Sequence, residues 1–273
     1  MPRVTAILAL VLNAVSATLA FAQALPSSPS PHLAAGHAAL AVHDPTRAMT
    51  EFEQDDSRAG RAWLAVALMM ESRAPSDAFV VRAFDAAAES RSMDRANAPR
   101  AATIQAQLQA GDMVVAYLLE DRYGYAWAID RSTVIGYPLP PPDQLRPAAE
   151  AAHGYAERND TDGLRRVGDE LMSSLLGPVT SRLGQVRRVV FALDGALTQL
   201  PIDRLPPDAD AAPLNETIAT TTVSDYTKLI DALHQPVDRP ATSKGRPAGT
   251  VAIAAMALLS LALIAWGRRR RRA

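Results

Sequence analysis

The fold class is indicated most clearly by Val186–Leu205, which reads VRRVVFALDGALTQLPIDRL. Its apolar run Val189–Leu193 is short, contains β-branched and aromatic residues, and stops at Asp194-Gly195. Such a run is typical of a strand that is buried on both faces of a sheet. Gly195 can adopt the positive φ that a tight turn requires at the end of a strand. The stretch therefore predicts one strand of an α/β sheet.

The sequence on either side of this strand predicts further strands and helices. Three earlier segments, separated by turn residues, predict an antiparallel meander. Two amphipathic helices follow them, and a Thr-rich strand and a short helix come after the central strand. This order favours parallel strands with right-handed crossovers. The predicted strands are Met113–Leu119, Tyr125–Asp130, Thr133–Tyr137 and Glu216–Val223, and the predicted helices are Asp143–Arg158, Asp162–Leu176 and a segment that Ser224-Asp225 caps and that ends near Leu233.

Residues 25–110 have helical periodicity and form a separate region of the predicted organisation. Ser57 is placed to begin one helix, and Ser76 to cap the next. The segment faintly resembles tetratricopeptide helices, but no period of about 34 residues recurs. We therefore favour a helical layer that packs on the following domain over a degenerate repeat array, and both interpretations stay open.

Asp194-Gly195-Ala196-Leu197 and Leu200-Pro201 follow the central strand, Leu176-Gly177-Pro178 precedes it, and Tyr117, Trp127 and Asp130 lie in the predicted meander. With these residues, the region from Leu108 to about Leu233 resembles the N-terminal half of a CHAT domain, the caspase-like domain found beside tetratricopeptide repeats. This resemblance implies a truncated, caspase-like three-layer sheet domain over residues 111–233. It implies also that the catalytic part of the family, which supplies a His and a Cys, is missing.

The chain contains no cysteine, which excludes disulfides, thiolate metal sites and a cysteine nucleophile. Caspase-like catalysis needs a thiolate and a histidine base, and both lie beyond the matched region in the resembled family. We therefore predict that the protein is not an enzyme and has no catalytic, cofactor-binding or metal-binding residues. An alternative is a peptidase fragment that a partner chain completes with the His and the Cys. A third possibility is a structural remnant without a partner.

Three groups of polar residues could be mistaken for sites. His32, His37 and His43 are spaced five and six residues apart, so a helix places them on different faces and we expect solvated side chains. Asp55-Asp56 predicts a solvated turn. A calcium site is the alternative, but the ion would lack further oxygen ligands there. Asp194 follows the central strand, where α/β sites often lie. We expect its carboxylate to bind its own backbone in the turn.

Both ends of the chain carry targeting patterns. Residues 1–24 have a basic start, the apolar run Val4–Leu12 and the cleavage pattern Ala22-Gln23-Ala24, which predict a signal peptide; an uncleaved anchor is the alternative. Residues 234–249 are a proline-rich linker, and residues 250–267 contain an uncharged apolar run that predicts one transmembrane helix. Residues 268–273 form a basic tail that we expect in the cytoplasm, with the folded domain outside it.

Charge limits the choice of partner. The net charge of the chain is −1, but five positive charges lie in Arg268–Arg272, so the remainder carries −6. An acidic folded region argues against nucleic-acid binding. Because the match to the family stops near Leu233, the last strand should lie at a sheet edge, and Thr217, Thr220, Thr221 and Thr222 make that strand polar. These features predict a non-catalytic interaction module that is anchored in the membrane and binds an unidentified protein.

Overall fold

The structure is a computed structural model that describes residues 30–207 and 211–236. Within these residues the chain forms a mixed α/β fold with a five-stranded sheet, and the helices and strands are numbered in chain order. The strands are β1 (Asp112–Glu120), β2 (Tyr123–Ile129), β3 (Val134–Leu139), β4 (Arg188–Ala192) and β5 (Ala219–Val223). The helices are α1 (Pro31–Ala41), α2 (Pro45–Gln54), α3 (Arg58–Glu71), α4 (Ala78–Arg91), α5 (Ala101–Gln107), α6 (Pro142–Glu157), α7 (Thr161–Leu176), α8 (Thr180–Leu183), α9 (Leu214–Thr217) and α10 (Leu229–His234).

The sheet has the strand order β3-β2-β1-β4-β5. The first three strands pair antiparallel, and β1, β4 and β5 run parallel to one another. All five residues of β4 are buried, because the strand has a neighbour on each side and helices cover both faces of the sheet. The strand predicted from the apolar run Val189–Leu193 is therefore confirmed, as is the antiparallel meander.

The N-terminal helices form one outer layer of the protein. Their buried side chains share a single apolar core with one face of the sheet and with α10. Trp127 on β2 is fully buried in this core, and its Nε1 donates a hydrogen bond of 3.1 Å to the Val80 carbonyl of α4. This hydrogen bond satisfies the buried indole and joins the helical layer to the sheet.

The opposite face of the sheet is covered by α6, α7 and the segment after β4. Tyr117 and Tyr137 point into this core, and both hydroxyls donate to the Leu175 carbonyl near the end of α7, at 3.5 and 2.9 Å. Ile202 and Leu205 return the chain to the same core after the turn at the end of β4. The described residues thus form three layers, with helices on each side of one sheet.

Several predicted boundaries were wrong. Strand β2 begins at Tyr123 and not at Tyr125, and β3 extends to Leu139 and not only to Tyr137. The strand expected over Glu216–Val223 begins only at Ala219, because Pro213 starts the helical turn α9 and the Ile218 N–H donates to Leu214 at 2.7 Å. Helix α4 is capped by Asp77 and not by Ser76. The Asp77 carboxylate accepts a hydrogen bond from the Val80 N–H at 3.1 Å, which is the usual role of an N-cap side chain.

Several sequence predictions fall outside the described residues. They are the signal peptide (1–24), the transmembrane segment (250–267), the basic tail (268–273) and the predicted linker from residue 237 onward. Among the residues that the structure describes, no helix has the length and apolar character needed to span a bilayer.

Candidate interaction edge

The outer edge of β3 is closed to further strands. The Gly136 N–H points away from β2 and donates to the Pro75 carbonyl at 2.8 Å. Pro138, two residues later on the same strand, faces the same direction and has no N–H to offer. The two donors that an incoming strand would need in the middle of this edge are therefore used or missing.

The outer edge of β5 is different. The Ala219 N–H donates to the Arg187 carbonyl at 3.0 Å, and the Val223 carbonyl accepts from the Leu193 N–H at 2.8 Å. Because backbone groups alternate in direction along a parallel strand, the N–H and C=O groups of Thr220 and Thr222 point away from β4. No described residue forms a backbone hydrogen bond with these groups. We refer to this outer side of Ala219–Val223 as the β5 edge.

A cavity of about 340 Å³ lies along the amino-terminal half of the β5 edge. Its walls include Ile218 and Asn215 from one side of the sheet and Ala232 and Pro236 from the other. The cavity therefore lies next to the strand that lacks a neighbour, and both its apolar and its polar walls can contact an added chain.

Two charged residues line this cavity. Arg188 is buried, and its Nη2 donates to Asp112 Oδ2 at 2.5 Å, so its charge is matched. Its Nη1 donates to the Leu233 carbonyl at 2.5 Å, which fixes the end of α10 against the sheet. The Arg188 Nε is buried and has no partner among the described residues. Asp203 is half-buried, and among the described residues its carboxylate accepts a single, long hydrogen bond of 3.4 Å from Asn215 Nδ2.

A second polar cluster lies at the carboxyl ends of β1 and β4. The Asp194 carboxylate accepts from Arg91 Nε at 2.8 Å and from the Leu119 N–H at 2.7 Å. Arg91 also pairs with Glu120. Burial alone would lower the pKa of Arg91, but the Asp194 and Glu120 carboxylates raise it overall. Burial raises the pKa of Glu120, and Arg91 offsets this only in part.

The expectation that Asp194 binds its own backbone is thus wrong. Its carboxylate binds the backbone of the adjacent strand β1 and an arginine from the helical layer. The observed partners of the Asp194 carboxylate are the Arg91 Nε–H and the Leu119 N–H, which both donate to it. The cluster therefore connects α4 with the sheet.

The remaining polar residues singled out in the sequence do not converge. His32 Nδ1 lies 3.0 Å from Glu51 Oε2, whereas the His37 ring packs edge-on against Trp63 at a centroid distance of 4.3 Å. Within the described residues, no group of three His, Cys, Asp or Glu side chains could hold a metal ion. The prediction that Asp55 is solvated was wrong. The residue is buried, and its carboxylate accepts hydrogen bonds from the Ser30 hydroxyl and from the Ser57 N–H.

Comparison with known proteins does not assign the chain to a family. No protein-family model matches it, and no curated protein is significantly similar to it. The resemblance to the CHAT domain thus stays a prediction from the residues quoted above.

Proposed function

We propose that the protein is a non-catalytic, membrane-anchored interaction module with a truncated CHAT-like sheet domain that faces away from the cytoplasm. The observation that carries this proposal is the β5 edge, which no described residue pairs, at the opposite end of the sheet from the closed β3 edge. A sheet edge with free donors and acceptors binds an extended segment of another chain by strand addition. The backbone groups of Thr220 and Thr222 supply two donors and two acceptors for it.

A site-specific photo-cross-linking residue tests this proposal in the full-length protein in its native membrane. Thr222 is exposed on the β5 edge, so we expect cross-links from this position to a discrete partner. Val42 is 73% exposed and lies on the far helical layer, so it serves as the matched control without specific cross-links. With the same cross-linker, position 222 should give a discrete cross-linked partner and position 42 should not. Equal or absent cross-linking at Thr222 argues against an interaction edge.

A proline substitution links the cross-link to the backbone. Thr220→Pro removes one outward N–H and no hydrogen bond to β4, so the fold should persist while the cross-link from Thr222 disappears. Thr221→Pro is the contrasting variant, because the Thr221 N–H faces β4 and its loss disrupts the sheet itself. A cross-link that survives Thr220→Pro in a folded protein would show that side chains and not the edge make the contact.

Topology is tested separately. Arg268–Arg272 should remain in the cytoplasm, because arginine-rich flanks are retained on that side. Protease added to intact cells or spheroplasts should then degrade the domain of residues 30–236. Complete protection of the domain in intact cells, with digestion after lysis, would reverse the proposed orientation.

The second candidate function is a caspase-like half-site that a partner chain completes with His and Cys. The same β5 edge supports it, since β5 runs parallel to β4 and the next strand of a larger parallel sheet would add there. The two functions differ in the cross-linked complex. Peptidase activity of the purified complex, lost when a cysteine of the partner is changed, would favour the half-site, and an inactive complex favours the interaction module.

A further inference from the structure

We infer that the β5 edge binds an extended, proline-free segment of another protein, with a Lys or Arg side chain placed against Asp203. This inference rests on the proposed function and specifies the chemistry of the partner. It depends on three properties of the edge: the number of free backbone groups, the charge of the adjoining cavity and the composition of its two walls.

The free backbone groups set the length and conformation of the ligand. Thr220 and Thr222 each offer one N–H and one C=O, which permits four backbone hydrogen bonds to an added strand. These two residues are separated by Thr221, so about five extended residues cover the edge. A proline opposite Thr220 or Thr222 would remove a donor from the ladder, which is why the segment must lack proline there.

The charge of the cavity selects a basic side chain. Arg188, the cationic residue that lines the cavity, already pairs with Asp112 at 2.5 Å. The Asp203 carboxylate, which also lines the cavity, therefore has no cationic partner among the described residues. Within residues 30–207 and 211–236, its one hydrogen bond is the long one from Asn215. An ammonium or guanidinium group would supply the charge-assisted hydrogen bond that Asp203 lacks in the free protein.

The two walls of the cavity determine the alternation of side chains. Ile218 and Asn215 lie with Asp203 on one side of the sheet, whereas Ala232 and Pro236 lie on the other. Because successive side chains of a strand point to opposite faces, the residues on either side of the basic one would contact Ala232 and Pro236. Small apolar or β-branched residues suit that wall. The preferred ligand therefore alternates Val or Thr with a central Lys or Arg.

A second copy of this chain is a less suitable occupant. Its own edge strand, Ala219–Val223, contains no Lys or Arg that could meet Asp203. The segment before that strand is acidic, with Asp203, Asp208, Asp210 and Glu216 against Arg204. Pairing two edges would leave each Asp203 without a cation, so charge complementarity favours a basic segment from a different protein.

The test uses the full-length protein in detergent micelles and three fluorescent peptides measured by anisotropy. The probe is acetyl-Thr-Val-Lys-Val-Thr-amide, and the matched peptides carry Glu or norleucine in place of Lys. We expect the Lys peptide to bind at least about tenfold more tightly than either matched peptide, since a charge-assisted contact is lost in both. Asp203→Asn should abolish this preference, and Asp203→Lys should transfer it to the Glu peptide.

The outcomes separate this inference from the proposed function. Thr222→Pro should abolish binding of the probe, whereas Thr222→Ala, which retains the N–H, should not; near-UV circular dichroism verifies that both variants are folded. Binding that depends on the β5 edge but not on the Lys or on Asp203 would overturn the basic ligand and leave the interaction module intact. Absence of peptide binding would overturn the inference. If the wild-type protein then sediments as a dimer that Thr222→Pro dissociates, the occupant is a second copy.

Discussion

Replacing Asp194 by Asn should destabilise the fold, because this carboxylate holds three parts of the structure together. It lies at the end of β4, accepts from the Leu119 N–H of β1 and pairs with Arg91 of α4. Its side chain is 12% exposed and that of Arg91 21%, so neither group can be rehydrated without local opening. Asn keeps the shape of the side chain and removes its charge.

The magnitude follows from the hydrogen bonds. An Asn side chain has one acceptor oxygen, so it can serve either the Leu119 N–H or Arg91 Nε, and its NH₂ group faces the other donor. A buried donor without an acceptor costs about 1–3 kcal/mol. Breaking a buried ion pair costs about 3–5 kcal/mol, but Arg91 retains Glu120 as a counter-charge. We therefore expect a loss of about 2–4 kcal/mol in the free energy of unfolding.

Urea unfolding of the full-length protein in micelles, followed by tryptophan fluorescence, measures this loss. Asp56→Asn is the matched control, because Asp56 also pairs with arginines but its side chain is 83% exposed, and its midpoint should not move. A double-mutant cycle with Arg91→Met should show that the two losses are not additive. An Asp194→Asn midpoint equal to that of the wild type, or additive losses, would refute the role assigned to the cluster.

Three further predictions concern packing, acid stability and processing. Gly60→Ala should lower the stability of the protein by about 1–3 kcal/mol, because the new Cβ would lie 2.4 Å from the Asp55 carbonyl oxygen. Gly154→Ala in α6 should raise the stability by about 0.5–1 kcal/mol, because its Cβ would meet nothing closer than 3.4 Å. Thermal unfolding of both variants measures these changes. Burial tends to raise the pKa of Asp130, but hydrogen bonds from the adjacent Ser and Thr lower it overall. Its stabilisation is therefore complete above the unfolded pKa of about 3.9 and is lost as the pH falls through the lower folded value. Asp130→Asn should make the decline of stability between about pH 5 and pH 2 shallower, and an unchanged profile would contradict this assignment. Intact mass of the exported protein should show cleavage after Ala24; a mature chain that retains its first residue would exclude it.

Most of the sheet was predictable because its strands are specified locally. The run Val189–Leu193 is apolar on both faces, and a strand with that pattern has to lie inside a parallel region. The turn at Asp121-Arg122 and the turn after Ile129 separate segments that pair as an antiparallel meander. The edge position of the Thr-rich strand was predicted from the end of the family resemblance near Leu233, and its threonines are compatible with an exposed edge.

The charged contacts were not predictable, because each joins residues that are far apart in the sequence. Arg91 and Asp194 are 103 residues apart, and Arg188 and Asp112 are 76 apart. A local pattern shows that Asp194 ends a strand but not which neighbour its carboxylate reaches. For the same reason sequence periodicity did not show that Pro75 occupies the β3 edge, which is what makes the β5 edge distinctive.

The difference between the two edges follows from how each is protected against aggregation. The β3 edge is closed by Pro75 and Pro138, so it needs no polar side chains, and its residues Tyr137 and Leu139 are buried. The β5 edge is five residues long, has threonine at its centre, and has outward backbone groups that no described residue pairs, so water can satisfy those groups. A strand of this kind tolerates water, and an added chain can replace that water with backbone hydrogen bonds. The sequence therefore protects one edge by covering it and the other by polarity, and only the second kind of protection is compatible with binding.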